Sequence, residues 1–230
     1  GRGKRAIEDH FDISYELENQ IKGTSKEHYL TEIRSVITKC TFSYTRQIEM
    51  KGLGHAILCG ETLIGDQPFA VVLADDLCDA PGKGVLAQMV DLYKKYQCSI
   101  VAIEEIPKED TNKYGVIAGN EIEPGIFMVK DMVEKPEPEV APSNLAIIGR
   151  YILTPDIFDI IRETKPGKGG EIQITDALLA QAKKGMVLAF KFDGQRFDCG
   201  SIDGFVKATN YFYEKETAKE KKAKKETGAK

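Results

Sequence analysis

No apolar run in the 230-residue chain approaches the roughly 20 residues needed to cross a bilayer, so no membrane partner is expected. The basic opening stretch, residues 1–5, is followed by no apolar core of a signal peptide. Cysteine is sparse and scattered. Cys40, Cys59, Cys78, Cys98 and Cys199 include no CxxC pair and make an odd total, which suits reduced thiols in a cytoplasm better than a disulfide frame or a zinc site. An excess of basic charge is also missing: 32 Lys and Arg against 36 Asp and Glu leave a net charge of −4, which argues against a nucleic-acid partner. The tail from residue 214 holds seven Lys and four Glu, and its mixed charges read as a solvated helix end. Internal repeats and domain linkers are absent, as is the GxGxxG dinucleotide fingerprint.

What is present is enough apolar residue, 42% of the chain, to build a substantial core. Residues 69–77, FAVVLADDL, read as a strand buried on both faces, the kind a parallel α/β sheet makes. Residues 85–97 form an amphipathic helix and 99–104 a second strand, so the rhythm is that of a βαβ unit. Ahead of them, residues 6–19 and 26–37 carry apolar residues at helical steps, and residues 40–46 (CTFSYTR) alternate like a strand. Residues 113–118 and 127–134 are short strands about the turn at Glu123, Pro124 and Gly125, and 143–153 is a buried strand. Thr154-Pro155-Asp156 opens a helix to residue 163, with proline in the first turn. A helix follows over about 173–184, and 186–198 reads as a hairpin about Asp193-Gly194. The last amphipathic helix begins at about residue 201.

Charge gathers at the ends of these strands. Open α/β sheets bind ligands outside the carboxyl ends of their strands, where Asp75 and Asp76 could hold a hard divalent cation against a phosphorylated ligand or merely cap the following turn. Gly52 and Gly54 in the loop KGLGHA stand between a strand and a helix, where a backbone can approach a ligand closely or simply turn. At residues 134–136, Glu134 and Lys135 can grip sugar hydroxyls and a phosphate respectively, or form an exposed ion pair. Asp198, in FDCG, is a third strand-end carboxylate.

The strings QxxxKGLGHA, LADD, KYGVI, VEKP, APSNLAIIGRYIL, GEIQITDA and FDCG occur in this order between residue 5 and about residue 213. Together they resemble the bacterial UTP:glucose-1-phosphate uridylyltransferases, also called UDP-glucose pyrophosphorylases. The resemblance implies a Rossmann-like α/β fold of the nucleotide-diphospho-sugar transferase type, with a mixed, mainly parallel sheet flanked by helices. It implies a single nucleotidyltransferase domain over residues 1–213, N-terminally incomplete, followed by a charged helix end and tail over 214–230. The implied reaction joins UTP and glucose 1-phosphate into UDP-glucose and pyrophosphate with Mg²⁺.

By the same resemblance, Asp75 and Asp198 are the magnesium ligands and Lys135 meets the sugar phosphate, these three being the catalytic set. Gln47 and Gly52 read the uracil edge, and Gly115, Glu134, Asn144 and Glu171 face the sugar. A cytoplasmic homodimer or homotetramer is expected. One departure stands out: the family's first strand and its Gly-rich phosphate loop have no counterpart here, so the chain as written is expected to turn over feebly alone. Two alternatives stay open, a sibling nucleotidyltransferase using dTTP or ATP, and a non-catalytic nucleotide-sugar-binding fragment.

Overall fold

The computed structural model describes residues 5–227. Among the described residues the central feature is a mixed sheet in the order β1-β6-β3-β7-β5-β4. Its strands are β1 (Phe69–Val72), β3 (Ser99–Glu105), β4 (Gly115–Glu123), β5 (Ile126–Glu134), β6 (Leu145–Leu153) and β7 (Val187–Lys191). A separate two-stranded ribbon pairs β2 (Asp76–Asp79) with β8 (Gln195–Asp198). The expected mixed sheet with flanking helices is present. Its parallel share is smaller than expected, because β3 with β7 is the one parallel pair among the described strands.

Strand β3 shows why the sheet holds together. Its first five residues are buried, and alternation sends them to two different layers. Ile100 and Ala102 pack with Val85 and Met89 of α6 (Val85–Tyr96) on one face. Val101 and Ile103 pack on the other with Ile157 and Phe158 of α7 (Ile157–Glu163) and Leu178 of α8 (Ile174–Lys184). Each fully buried side chain of this size contributes roughly 1.5–3 kcal/mol relative to exposure. Helix α6 ends at Gln97, whose left-handed φ of 50° replaces the usual glycine. Its own amide repairs the end by donating to the carbonyls of Tyr93 and Lys94 at 3.0 and 3.2 Å.

Strand β6 places the site. On one side it pairs with β3 at both ends, with a register shift between Tyr151 and Ile147; on the other, β4 takes only Leu145 and Ala146 while β1 takes Arg150–Leu153. The middle of β6 is therefore left without a ladder partner on that side, and a cleft opens there. The hairpin β4–β5 reaches this position because its register slips at Ala118/Gly119, a bulge that lets the ribbon bend.

Several expectations are corrected. The run 69–77 is not one buried strand: β1 stops at Val72, lies at the sheet edge and leaves Val72 52% exposed. Residues 40–46 form no strand, having no ladder partner among the described residues. The helix expected over 6–19 is two, α1 (Arg5–His10) and α2 (Tyr15–Ile21), followed by α3 (Glu27–Ile37). The Asp193-Gly194 turn joins strands of different sheets, because β8 leaves β7 to pair with β2. Helix α4 (Gly52–Leu58) is followed by the short α5 (Glu61–Ile64), and α9 (Ile202–Thr227) runs well past residue 213. No helix of the described residues is long and apolar enough to cross a membrane.

Candidate active site

The cleft beside β6 has a volume of about 340 Å³. Of the residues singled out from sequence, Asp75, Asp76, Gly115, Glu134, Lys135, Glu171 and Asp198 line it. Gln47, Gly52 and Asn144 do not. Gln47 Nε2 donates to the Gly52 carbonyl at 3.0 Å and lies 3.0 Å from His55 Nδ1, which pins the loop ahead of α4. Asn144 precedes β6, and its amide donates to the Ile106 carbonyl at 3.2 Å.

Ribbon pairing brings the carboxylates together. In the β2–β8 register Asp76 stands opposite Asp198, and Cys199 N–H donates to the Asp75 carbonyl at 2.7 Å. A methyl group built on Gly200 would lie 3.1 Å from Asp198 Oδ1 and 3.5 Å from Asp75 Oδ2, so the two carboxylates face one another across a small gap. The adjacent pair Asp75-Asp76 splits because Asp75 sits in the turn after β1, which Asp76 N–H closes on the Leu73 carbonyl, while Asp76 opens β2. Asp75 is exposed to the cleft, whereas Asp76 is 6% exposed. Asp76 Oδ2 accepts Gly149 N–H at 2.6 Å, and its other oxygen receives Arg196.

Arg196 organises the wall behind Asp198. Its guanidinium meets Asp76, donates to Glu104 Oε1 at 2.6 Å, and reaches Asp198 Oδ2 at 3.2 Å. The Tyr114 ring lies over it at 4.9 Å, and Tyr114 O–H donates to Asp198 Oδ2 at 2.6 Å. Burial works against the Arg196 charge, but Asp76, the Tyr114 hydroxyl and Glu104 outweigh it and raise its pKa. For Asp198, burial pushes upward, and the Tyr114 hydrogen bond and Arg196 charge prevail and hold the carboxyl below the ordinary value.

The opposite wall carries the hairpin ends. Gly115 pairs with Glu134 across β4 and β5, and Glu134 accepts a hydrogen bond from Thr175. A methyl at position 115 would come within 3.1 Å of Glu134 Oε2, so glycine leaves that oxygen accessible. Lys135 adopts a left-handed φ of 47°, uncommon for a residue with a side chain, while its N–H donates to the Tyr114 carbonyl at 3.0 Å. Glu171 and Gln173, two apart on the extended segment ahead of α8, and Thr175 in the first turn of α8 all line the cleft. Gly52, at φ 89°, packs against that segment: a methyl there would sit 2.8 Å from Glu171 Cβ and 2.9 Å from the Ile172 carbonyl. The close approach that the glycine permits is thus to the protein's own backbone.

Sequence reasoning missed Tyr114, Arg196 and Thr175 as members of the site, and it offered Asp76 with Asp75 as a cation ligand or a turn cap, whereas Asp76 is the buried partner of Arg196. A signal existed for Arg196. It stands two residues before Asp198 on one strand, and positions two apart face the same way.

The two aspartates Asp75 and Asp198 are hard oxygen donors of the kind Mg²⁺ takes when it keeps waters and phosphate oxygens in its shell. The donor set therefore fits that ion, although no cluster of three or more His, Cys, Asp or Glu suited to a metal occurs among the described residues.

Comparison with known proteins places this geometry in company. A nucleotidyl transferase family model matches residues 9–216. A UTP–glucose-1-phosphate uridylyltransferase of Pseudomonas aeruginosa is 71% identical over 215 residues, 93% of this chain and 77% of the relative. The crystal structure of an apo UDP-glucose pyrophosphorylase matches with a TM-score of 0.90 and 62% identity, covering 94% of this chain and 80% of that one. The structure of a UDP-glucose pyrophosphorylase complexed with UDP-glucose matches with a TM-score of 0.85 and 59% identity, covering 94% and 79%.

Proposed function

Because the chain belongs to the nucleotidyl transferase family, we propose that it is a UTP–glucose-1-phosphate uridylyltransferase, forming UDP-glucose and releasing pyrophosphate. The observation that carries this reading is the cleft itself, where Asp75 and Asp198 face each other and Glu134 and Lys135 share the same walls.

In the proposed reaction a phosphate oxygen of glucose 1-phosphate attacks the α-phosphorus of UTP in line. One P–O bond forms as the bond to the pyrophosphate leaving group breaks. The nucleophile is already anionic near neutral pH, so no general base is needed. The barrier lies in bringing two anions together, and it is lowered by positioning and by opposite charge. Lys135 offers its ammonium to the sugar phosphate, Glu134 and Glu171 accept sugar hydroxyls, and Gly115 leaves the sugar room. Asn144 completes the sugar side of the proposal, and Gln47 with Gly52 serve the uracil from the loop that they brace. Asp75 and Asp198 would hold Mg²⁺, which when bound neutralises phosphate charge in the transition state.

The proposal extends to a single transferase unit over residues 1–213 with a charged helix end beyond it. It also places the protein in the cytoplasm, which five unbridged cysteines favour. A homodimer or homotetramer is part of the same reading, supported by the apolar Ile202, Phe205 and Val206 exposed on α9.

The test incubates the full chain with Mg²⁺ and a panel of nucleoside triphosphates and sugar 1-phosphates, following pyrophosphate and nucleotide sugar together. UTP with glucose 1-phosphate is expected to be the preferred pair. Preference for dTTP or ATP, or UDP-glucose binding without pyrophosphate formation from the substrates, overturns the reading.

A further inference from the structure

We infer that Tyr114 and Arg196 are positioning residues that fix the orientation of Asp198 by occupying its Oδ2, so that Oδ1 is held facing Asp75. This rests on the proposed role of Asp198 as a cation-holding carboxylate.

A carboxylate turns easily about its last bond, and a strand-end aspartate has two equivalent oxygens to offer. Here they are not equivalent. Oδ2 receives the Tyr114 hydroxyl at 2.6 Å and lies 3.2 Å from an Arg196 nitrogen. Oδ1 receives one backbone N–H, that of Gly200 at 3.1 Å, and is the oxygen on the Asp75 side. A hydrogen bond to each oxygen and an ion pair to Oδ2 together define the plane of the group.

The clamp is itself anchored. The Arg196 side chain is 6% exposed and is tied to Asp76 and to Glu104 as well as to Asp198. It cannot follow Asp198 without abandoning two other carboxylates in a poorly solvated place. Tyr114 is held by its ring over Arg196 and by its carbonyl, which accepts Lys135 N–H at 3.0 Å. One residue thus joins the backbone of the lysine proposed for the sugar phosphate to the carboxylate proposed for the cation. The arrangement also shares out charge: Arg196 compensates Asp76 and Glu104, which leaves Asp75 and Oδ1 of Asp198 as the aspartate oxygens turned to the cleft.

The experiment compares wild type, Tyr114→Phe, Arg196→Lys and Asp198→Asn as full chains saturated with UDP-glucose. Mn²⁺ binding is read directly from the electron paramagnetic resonance signal of the free ion, alongside the thermal midpoint and the KM values for Mg²⁺ and glucose 1-phosphate. Tyr114→Phe deletes the hydroxyl and keeps the ring and the carbonyl. It is expected to weaken Mn²⁺ about tenfold, the cost of one charge-assisted hydrogen bond, and to raise the KM for Mg²⁺ while that for glucose 1-phosphate stays put. Arg196→Lys, which keeps a charge and loses the fork, is expected to weaken Mn²⁺ by a similar factor.

A merely structural Tyr114 would lower the midpoint and leave Mn²⁺ affinity alone. If Asp198→Asn abolishes Mn²⁺ binding while both Tyr114→Phe and Arg196→Lys bind as wild type, the inference fails and the proposed role of Asp198 survives. If Asp198→Asn binds Mn²⁺ normally, or wild type binds none, the role of Asp198 fails and the inference falls with it.

Discussion

Asp75 and Asp76 are adjacent in the chain and face opposite ways, so replacing each with asparagine separates folding from chemistry. Asp76→Asn removes the charge that holds Arg196 inside the protein. The two side chains are 8% and 6% exposed, and Asp76 also accepts Gly149 N–H at 2.6 Å. Breaking a buried pair by removing one partner costs about 3–5 kcal/mol. Arg196 keeps Glu104 and Asp198, whose side chains are 28% and 35% exposed, and these trim the cost to about 2–4 kcal/mol. At about 2–4 °C per kcal/mol for a chain of this size, the melting midpoint is expected to fall by roughly 5–15 °C. Asp75→Asn alters an exposed side chain that receives no hydrogen bond from any described residue, so its midpoint should move by no more than about 2 °C. Its effect falls on turnover, where losing one of two cation-holding carboxylates removes about 3–4 kcal/mol, or roughly 10²–10³-fold in kcat. Thermal unfolding followed by circular dichroism and pyrophosphate release at saturating substrate read the two quantities separately. Equal midpoints for the two variants, or near-normal turnover by Asp75→Asn, refute the division between them.

Two further outcomes are expected. Gly149→Ala should lower the melting midpoint clearly, since its methyl would lie 2.5 Å from Asp76 Oδ2 and 2.6 Å from Leu73 Cβ, whereas Gly84→Ala, with nothing within 4 Å, should melt with wild type. Asp79 is held below the usual carboxylate range by Lys215 first and then by Tyr211, which ties α9 to the body. A depressed carboxyl stabilises the fold above its unfolded pKa of about 3.9 and loses that effect as pH falls through the folded value. The midpoint advantage of wild type over Asp79→Asn should therefore be full at neutral pH and shrink below about pH 4; an advantage that persists unchanged at pH 3 contradicts this account.

How much of this was legible beforehand depends on where each residue takes its structure from. Strands β3 and β6 and helix α6 are read correctly from their strings because the same apolar pattern that suggests them is what buries them, Ile100 to Ile103 being 0% exposed. Residues 40–46 alternate just as well and form nothing, because alternation describes a face and a strand also needs a neighbour to take its hydrogen bonds. The run 69–77 misleads for a related reason. Its apolar content suggests a central strand, yet β1 has β6 on one side alone, and the chain turns after Val72 so that Asp76 can enter a second sheet. The Asp193-Gly194 turn was equally visible, but a turn does not say which strand follows it home; β8 goes to β2 because its Arg196 finds Asp76 there, 120 residues away in sequence.

The site divides along the same line. Asp75, Glu134, Lys135 and Asp198 stand at strand ends, where a charged side chain has no packing reason to be, and so a string alone marks them. Tyr114 and Arg196 carry no such mark. An arginine inside a short alternating strand reads as its solvent side, and only the pairing of β2 with β8 turns it inward among three carboxylates. What a sequence withholds here is the identity of the opposing strand. Any residue whose role is to hold another in place stays invisible until that strand is known.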